Sequence, residues 1–328
     1  MSSDITNPRV QLEPRRMRAI PRLAARMAGR FFGAVPGWYM LLIEPFASRE
    51  TTIVQTVSAG ARYELDLSEF VQRKFYFRSY ERRELRFIRS TLSDGDTFVD
   101  VGANVGLLSL CAAECVGPTG EVLALEPDPQ NVTQLQRNLE LNPKSGVRVL
   151  PAAIGATRGK VRLGMPASQA GIQNSGARSR SSSENQIEVE QITIDDAVAQ
   201  ALPRCVAVHL VKIDVEGMEL DVLQGGPELF GRSAARVMLE VNQRYGEGAS
   251  AVEMLRSLDY QIFRLGVFAR LRPWPASNPP KAHSLSFLHG LPSGIGQWIS
   301  GDTRLTTAVA IHLREFDGAP CGSHVESA

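Results

Sequence analysis

The chain has 328 residues and a formal net charge of only +1, with 36 basic against 35 acidic side chains. That balance excludes a general nucleic-acid binder, which would carry a basic excess. The length allows one enlarged α/β domain or two average ones, with a full core in either case.

The four cysteines, Cys111, Cys115, Cys205 and Cys321, form no CxxC pair. That is the usage expected of a reduced, cytoplasmic protein. Cys111 and Cys115 fall on one helical face at i, i+4, where reduced core thiols are the expected reading over a metal or redox pair.

Residues 1–13 are polar and expected to be disordered. In Arg15–Phe32 the arginines 15, 18, 22, 26 and 30 take one helical face, and Met17, Ile20, Leu23, Ala24, Met27 and Phe31 take the other. No acid interrupts them. The pattern fits a helix lying at the inner face of an anionic membrane, or one docked on the domain with its arginines in water. Pro21 belongs in its first turn or at a kink. The uncharged run Phe31–Ile43 has 13 residues broken by Gly33, Pro36 and Gly37, too short for the roughly 20 that span a bilayer. It also starts too late for a signal peptide.

Alternation over Thr51–Leu67 predicts a hairpin turning near Ala59-Gly60. Phe70–Ile88 reads as helical and dense in aromatics and charge, either a lid or the first packing helix. The stretch Thr97–Gly106 then gives strand, tight turn and helix start, followed by a helix over Leu107–Cys115. Such a turn presents backbone N–H groups to a ligand. Gly102 and Gly106 allow close backbone approach. A dinucleotide fingerprint requires G-x-G-x-x-G, but Asn104 stands at the second glycine. The next strand, Glu121–Leu125, ends in Glu126-Pro127-Asp128, with Glu126 twenty residues beyond Gly106. An acid at that tip suits ribose hydroxyls.

A helix over Gln130–Leu141, strand three at Val147–Leu150 and a short strand at Lys160–Leu163 follow. The Ser/Gly-rich Gly164–Gln186 reads as a functional or disordered loop. The apolar run Val206–Ile213 predicts a doubly covered parallel strand, with His209 as a core residue inside it. It ends Lys212-Ile213-Asp214-Val215-Glu216-Gly217, with a helix from Met218. Strand five is Arg236–Val241, then a helix over Ser250–Leu258 and a strand at Tyr260–Leu265. Val267–Arg272, Ser284–Leu288 and Thr306–Leu313 compete for the last strand.

Alternating βαβα predicts a doubly wound, mostly parallel sheet with ligands at its carboxyl edge. Asp100, the glycine turn, Glu126, Asp214, Glu216, Glu240 and Asn242 all fall there. An acidic rim without a lysine in the turn suits a ribose-bearing, neutral or cationic cofactor, S-adenosylmethionine, and repels a pyrophosphate.

The blocks Asp100-Val101-Gly102-Ala103-Asn104-Val105-Gly106, Glu126-Pro127-Asp128 and Lys212-Ile213-Asp214-Val215-Glu216-Gly217-Met218-Glu219 with Leu223-Gln224-Gly225 resemble the FkbM family of S-adenosylmethionine-dependent methyltransferases. Thr193-Ile194-Asp195-Asp196 stands at the place of that family's T-L-D segment. Leu107-Leu108-Ser109 departs from the aromatic or Thr residues usual there. The resemblance implies a class I methyltransferase (Rossmann-like) sheet. It also implies methyl transfer to a hydroxyl of a sugar, glycan or polyketide-type molecule. The division that follows is an N-terminal extension over 1–75, a methyltransferase domain over 76–272 and a C-terminal extension over 273–328.

The expected cofactor contacts are Asp100, Gly102, Asn104, Gly106, Glu126, Pro127 and Asp214. Asp214 and Glu216 are the candidate bases for deprotonating the acceptor, and Glu216 also reads as a dipole-stabilised acid at a helix start. The alternative set Asp214, Glu240 and Asn242 would hold Mg²⁺. A NAD-dependent sugar enzyme and a non-catalytic glycan-binding protein are the competing function classes. The missing middle glycine opposes the first, and a purposeless Glu126 the second.

Overall fold

The computed structural model describes residues 53–56, 60–67, 69–76, 81–164, 186–203, 207–231, 235–242, 247–265, 271–273 and 305–312. The Arg15–Phe32 pattern, the uncharged run after it, nearly all of the Ser/Gly-rich loop and Ser284–Leu288 lie outside them.

The chain opens with a hairpin, β1 (Ile53–Thr56) against antiparallel β2 (Arg62–Leu65). Two helices follow, α1 (Phe70–Tyr76) and α2 (Arg82–Thr91). The single helix expected over Phe70–Ile88 is therefore two, because α2 starts afresh after Glu81, whose backbone is left-handed at φ 44°.

The core proceeds as β3 (Thr97–Val101), α3 (Leu107–Val116), β4 (Glu121–Leu125), α4 (Pro129–Glu140) and β5 (Val147–Leu150). A small three-stranded sheet comes next from β6 (Ala153–Ile154), β7 (Gly159–Leu163) and β8 (Ile187–Ile192), in the order β6-β8-β7. Then come α5 (Ile194–Ala201), β9 (Leu210–Ile213), α6 (Glu219–Gln224), α7 (Pro227–Gly231), β10 (Arg236–Asn242), α8 (Glu247–Ser257) and β11 (Tyr260–Leu265). The last described strands are β12 (Leu271–Pro273) and β13 (Leu305–His312).

The main sheet runs β12-β11-β13-β10-β9-β3-β4-β5. Its five strands β5-β4-β3-β9-β10 are parallel, and β13 lies antiparallel between β10 and β11. Two of the segments competing for the last strand thus both enter the sheet, β12 from the first and β13 from the third. The chain winds outward from β3 through β4 to β5, then returns to β9 and winds the other way. The switch point falls between β3 and β9, where a doubly wound sheet opens a crevice at its carboxyl edge.

Strand alternation sorts the core into two layers. Val99, Val101, Val211, Ile213, Val237 and Leu239 face α5, α6, α7 and α8. Phe98, Val122, Leu210 and Met238 face the other way, against Phe87 and Ile88 of α2 and Leu108, Cys111 and Ala112 of α3. Cys111 is buried and Cys115 half-buried, both as free thiols.

The strand expected over Val206–Ile213 starts only at Leu210, and His209 precedes it. His209 is not a core residue: its side chain is 44% exposed, with Nε2 3.3 Å from Asp96 Oδ1. Its Nδ1 accepts from the Thr97 backbone N–H at 2.9 Å. That contact joins the amino ends of two strands, opposite the carboxyl edge, so His209 takes no part in the site.

Candidate active site

Two groups of side chains meet at the carboxyl edge. The first surrounds the turn after β3. Gly102 sits at φ +78°, and a Cβ there would run into the Asp214 carbonyl oxygen; Gly106, at φ +87°, has Leu135 against the corresponding position. Between them Asn104 adopts φ +52°. Asparagine tolerates that left-handed region better than most side chains, so it can stand where the dinucleotide pattern has glycine. Its Oδ1 is buried with no hydrogen-bond partner among the described residues.

Glu126 at the tip of β4 braces this turn. Its Oε2 accepts from the Asn104 backbone N–H at 2.8 Å. Its Oε1 accepts from the Asp128 N–H at 2.9 Å and from Asn131 Nδ2 at 3.2 Å. Burial pushes the Glu126 carboxyl above its ordinary range, against those three donors. Pro127 and Asp128 lead into α4, where Asp128 caps the helix by accepting from the Gln130 N–H and the proline at N1 gives up no needed donor. Asn138 of α4 donates to the Val105 carbonyl at 2.8 Å and accepts from the Glu64 N–H at 2.8 Å, tying the N-terminal hairpin to the same turn.

The second group is a row across three strands. Asp100 lies beside Lys212 in the β3–β9 register, and Met238 beside Lys212 in β9–β10. Strand alternation then puts Asp100, Lys212, Asp214 and Glu240 on one face, the face covered by α2 and α3. Lys212, 6% exposed, donates to the Gly102 carbonyl at 2.6 Å. Its Nζ is also 3.3 Å from Asp100 Oδ1 and 3.5 Å from Asp214 Oδ2. Ser109 Oγ donates to the other Asp100 oxygen at 2.6 Å.

Burial alone would lower the Lys212 pKa, but Asp100 and Asp214 outweigh it and hold the ammonium charged. Burial likewise opposes the Asp214 charge, yet Lys212 and a hydrogen bond from Glu240 keep that carboxyl below its ordinary value. Glu240 goes the other way. Burial, then the Asp214 charge, push it well above its ordinary value. The pair titrates as a unit.

Glu216 follows in the loop after β9 at φ 52°, and its charge acts on Glu240. The acid that does brace the start of α6 is Glu219, which accepts from the Gly217 N–H at 3.0 Å. Asn242 ends β10 beside Leu305 of β13. Among the described residues no group of three or more His, Cys, Asp or Glu side chains is placed to hold a metal ion. Of the alternative Mg²⁺ set, Asp214 already has the Lys212 ammonium 3.5 Å from its Oδ2.

The structure thus gathers Asp100, Gly102, Asn104, Gly106, Glu126, Asp214, Glu216 and Glu240 at one edge. Lys212 was missed as a functional residue. Its signal was present in the sequence, a lysine inside an apolar strand two positions before an aspartate.

Residues 100–265 match the family model described as the methyltransferase FkbM domain. Methyltransferase 1 of Beauveria bassiana is 25% identical over 185 residues, covering 52% of this chain and 74% of that protein. The hexuronic acid methyltransferase AglP of Haloferax volcanii is 26% identical over 181 residues, covering 55% and 70%. The solved FkbM methyltransferase of Methylobacillus flagellatus superposes with a TM-score of 0.40 at 18% identity, over 73% of this chain and 54% of that one. This chain therefore spans about half the length of that protein. Among the described residues no helix is long and apolar enough to cross a membrane. With the family model matching just over half of the chain on a sheet wound as β5-β4-β3-β9-β10 with antiparallel β13, the protein belongs to the FkbM methyltransferase family and has the class I, S-adenosylmethionine-dependent methyltransferase fold.

Proposed function

We propose that the protein transfers a methyl group from S-adenosylmethionine to a hydroxyl of a sugar, a glycan or a polyketide-type molecule, without a metal ion. The observation that carries this reading is Asp214 at the switch point, its Oδ2 3.5 Å from the buried Lys212 ammonium, which also donates to the Gly102 carbonyl of the glycine turn. The family relative from Haloferax, named for hexuronic acid, supports a sugar-class acceptor.

The turn Gly102–Gly106 with Asp100, Pro127 and Glu126 would hold the cofactor. Oxygen Oε2 of Glu126 accepts one bond from the turn and keeps a lone pair for a ribose hydroxyl. The unpartnered Asn104 Oδ1 is a further acceptor in the same cradle. When bound, the cofactor supplies an electrophilic methyl on a sulfonium.

Asp214 then receives the acceptor's hydroxyl proton as the oxygen attacks, and Glu216 is the second carboxylate within the same loop. Glu240 keeps Asp214 oriented by donating to it. Lys212 fixes Asp214 and the Gly102 carbonyl together, so that base and turn hold one geometry, which in-line displacement requires.

The test uses S-adenosylmethionine labelled in its methyl group and a panel of neutral glycosides, uronic acids and polyketide alcohols. Label in an O–CH₃ ether is expected, and it should persist in EDTA. Label confined to amines or carboxyl esters overturns hydroxyl transfer. Turnover lost in EDTA and restored by Mg²⁺ overturns the metal-free mechanism. A thermal shift with NAD and none with S-adenosylmethionine overturns the cofactor.

A further inference from the structure

The N-terminal hairpin lies outside the family match, which begins at residue 100. In its two-stranded sheet β2 pairs with β1 along one edge. Along the other edge, where a further strand would lie, helix α4 supplies side-chain amides. Asn142 Oδ1 accepts from the Arg62 N–H at 2.9 Å, and its Nδ2 donates to the Arg62 carbonyl at 2.6 Å. Asn138 Oδ1 accepts from the Glu64 N–H at 2.8 Å, and Gln134 Nε2 donates to the Glu64 carbonyl at 2.8 Å. Residues four apart on a helix are separated by about 6 Å along its axis, and alternate residues of a strand by about 6.8 Å. The amides of Gln134, Asn138 and Asn142 therefore step along α4 at nearly the pace of the outward-facing backbone groups of β2.

Asn138 also reaches the glycine turn. It is fully buried, and its Nδ2 donates to the Val105 carbonyl at 2.8 Å. Val105 precedes Gly106, which is left-handed at φ +87° and has Leu135 of α4 against its missing Cβ. On the far side of Gly106, the Tyr63 hydroxyl of β2 donates to the Leu107 carbonyl at 3.4 Å. Hairpin and α4 thus grip the turn by its carbonyl oxygens on both sides of Gly106. One residue before Val105, the Asn104 N–H is held by Glu126, assigned above to the ribose. Both bonds of Asn138 need the same amide orientation, oxygen toward Glu64 and nitrogen toward Val105. The docked hairpin therefore fixes the side chain that fixes the turn.

We propose that Asn138 is a positioning residue through which the N-terminal hairpin and the cofactor stabilise one another. Docking of β2 on α4 holds the turn in its cofactor-binding shape, and bound cofactor in return holds the hairpin down. The inference rests on the S-adenosylmethionine reading above.

The experiment measures S-adenosylmethionine binding by calorimetry, and hydrogen exchange at the Arg62 and Glu64 amides, in the full chain as wild type, Asn138→Leu and Asn142→Ala. Leucine keeps the volume and removes both bonds. Asn142 holds the same strand through Arg62, so its variant reports hairpin docking apart from the turn. Asn138→Leu should bind S-adenosylmethionine about two- to tenfold more weakly, the range for one hydrogen bond. Asn142→Ala should stay within about twofold of wild type, although both variants melt lower. Saturating S-adenosylmethionine should slow exchange at both amides of wild type and leave it unslowed in Asn138→Leu. Equal affinity losses in the two variants, or none in either, make Asn138 a packing residue and overturn the proposal. So does exchange in wild type that S-adenosylmethionine leaves unchanged, a result that stands even where Asn138→Leu does not fold. A wild type that binds no S-adenosylmethionine overturns the cofactor reading, and the proposal with it.

Discussion

The tips of β4 and β9 both end in a carboxylate, buried in the first and half-buried in the second, and the two are stabilised by different means. Glu126 is held by N–H groups: two from the backbone and one from Asn131. Asp214 is held by a buried ammonium, and Glu240 adds to the pull that keeps its carboxyl below the ordinary value. The first arrangement is fixed by backbone geometry and changes little unless the turn moves. The second is fixed by charge, so it responds to protonation and to the loss of any member. The difference suits the two tasks proposed for them, since a cofactor cradle must stay put while a proton acceptor must change state.

The severest way to break the contrast is Lys212→Met. A methionine fills similar space but leaves Asp100 and Asp214 as carboxylates without their cation. Removing one partner of a buried pair costs about 3–5 kcal/mol. Denaturant unfolding should show a loss of that order, and Asp100→Asn added to Lys212→Met should recover part of it. A loss below about 1 kcal/mol, with no recovery in the double variant, would mean that the row is solvated and the charge argument wrong.

On the other side, Glu126→Ala is expected to lower stability as well as cofactor affinity. A role in ribose binding alone would leave the fold untouched. The bonds from Asn104, Asp128 and Asn131 argue otherwise, because two backbone N–H groups lose their acceptor. About 1–3 kcal/mol of stability should go with them. Glu126→Gln keeps one carbonyl acceptor and should fall between wild type and alanine. Calorimetric affinity for S-adenosylmethionine, measured beside the melting temperature, separates the two effects. An unchanged melting temperature would return Glu126 to a purely ligand-facing role.

How legible these two regions were in the sequence follows from how local their causes are. The β3 turn and the ends of β4 and β5 were readable because glycines, an acid and β-branched runs act within a few residues. Asn104 in place of a glycine was readable as a departure, and its left-handed backbone supplies the reason. The row Asp100–Lys212–Asp214–Glu240 was readable only in part. Its acids were recognised as strand ends, but their order across the sheet depends on register between segments a hundred residues apart. His209 was misplaced because an apolar run does not mark where hydrogen bonding begins. Glu81 lay hidden inside a stretch that looked like one helix, since nothing local marks the left-handed break before Arg82.

The mildest test concerns pH. Glu240 has a folded pKa above its ordinary 4.5, raised first by burial and then by Asp214. The stability it contributes is fully present below the unfolded value and lost as pH rises through the folded one. Asp214 is opposite in sign: its stabilisation is present above its ordinary 3.8 and lost as pH falls through the folded value. Above about pH 5, therefore, stability should decline as pH rises, and Glu126 and Glu219 add to the decline because burial raises them too. Glu240→Gln keeps a donor for Asp214 but has no proton to lose. Melting temperatures between about pH 5 and about pH 8 should fall less steeply in this variant than in wild type. Equal slopes would show that Glu240 does not hold the shared proton. They would leave two ionised carboxylates, Asp214 and Glu240, side by side in a site where Lys212 supplies the balancing charge.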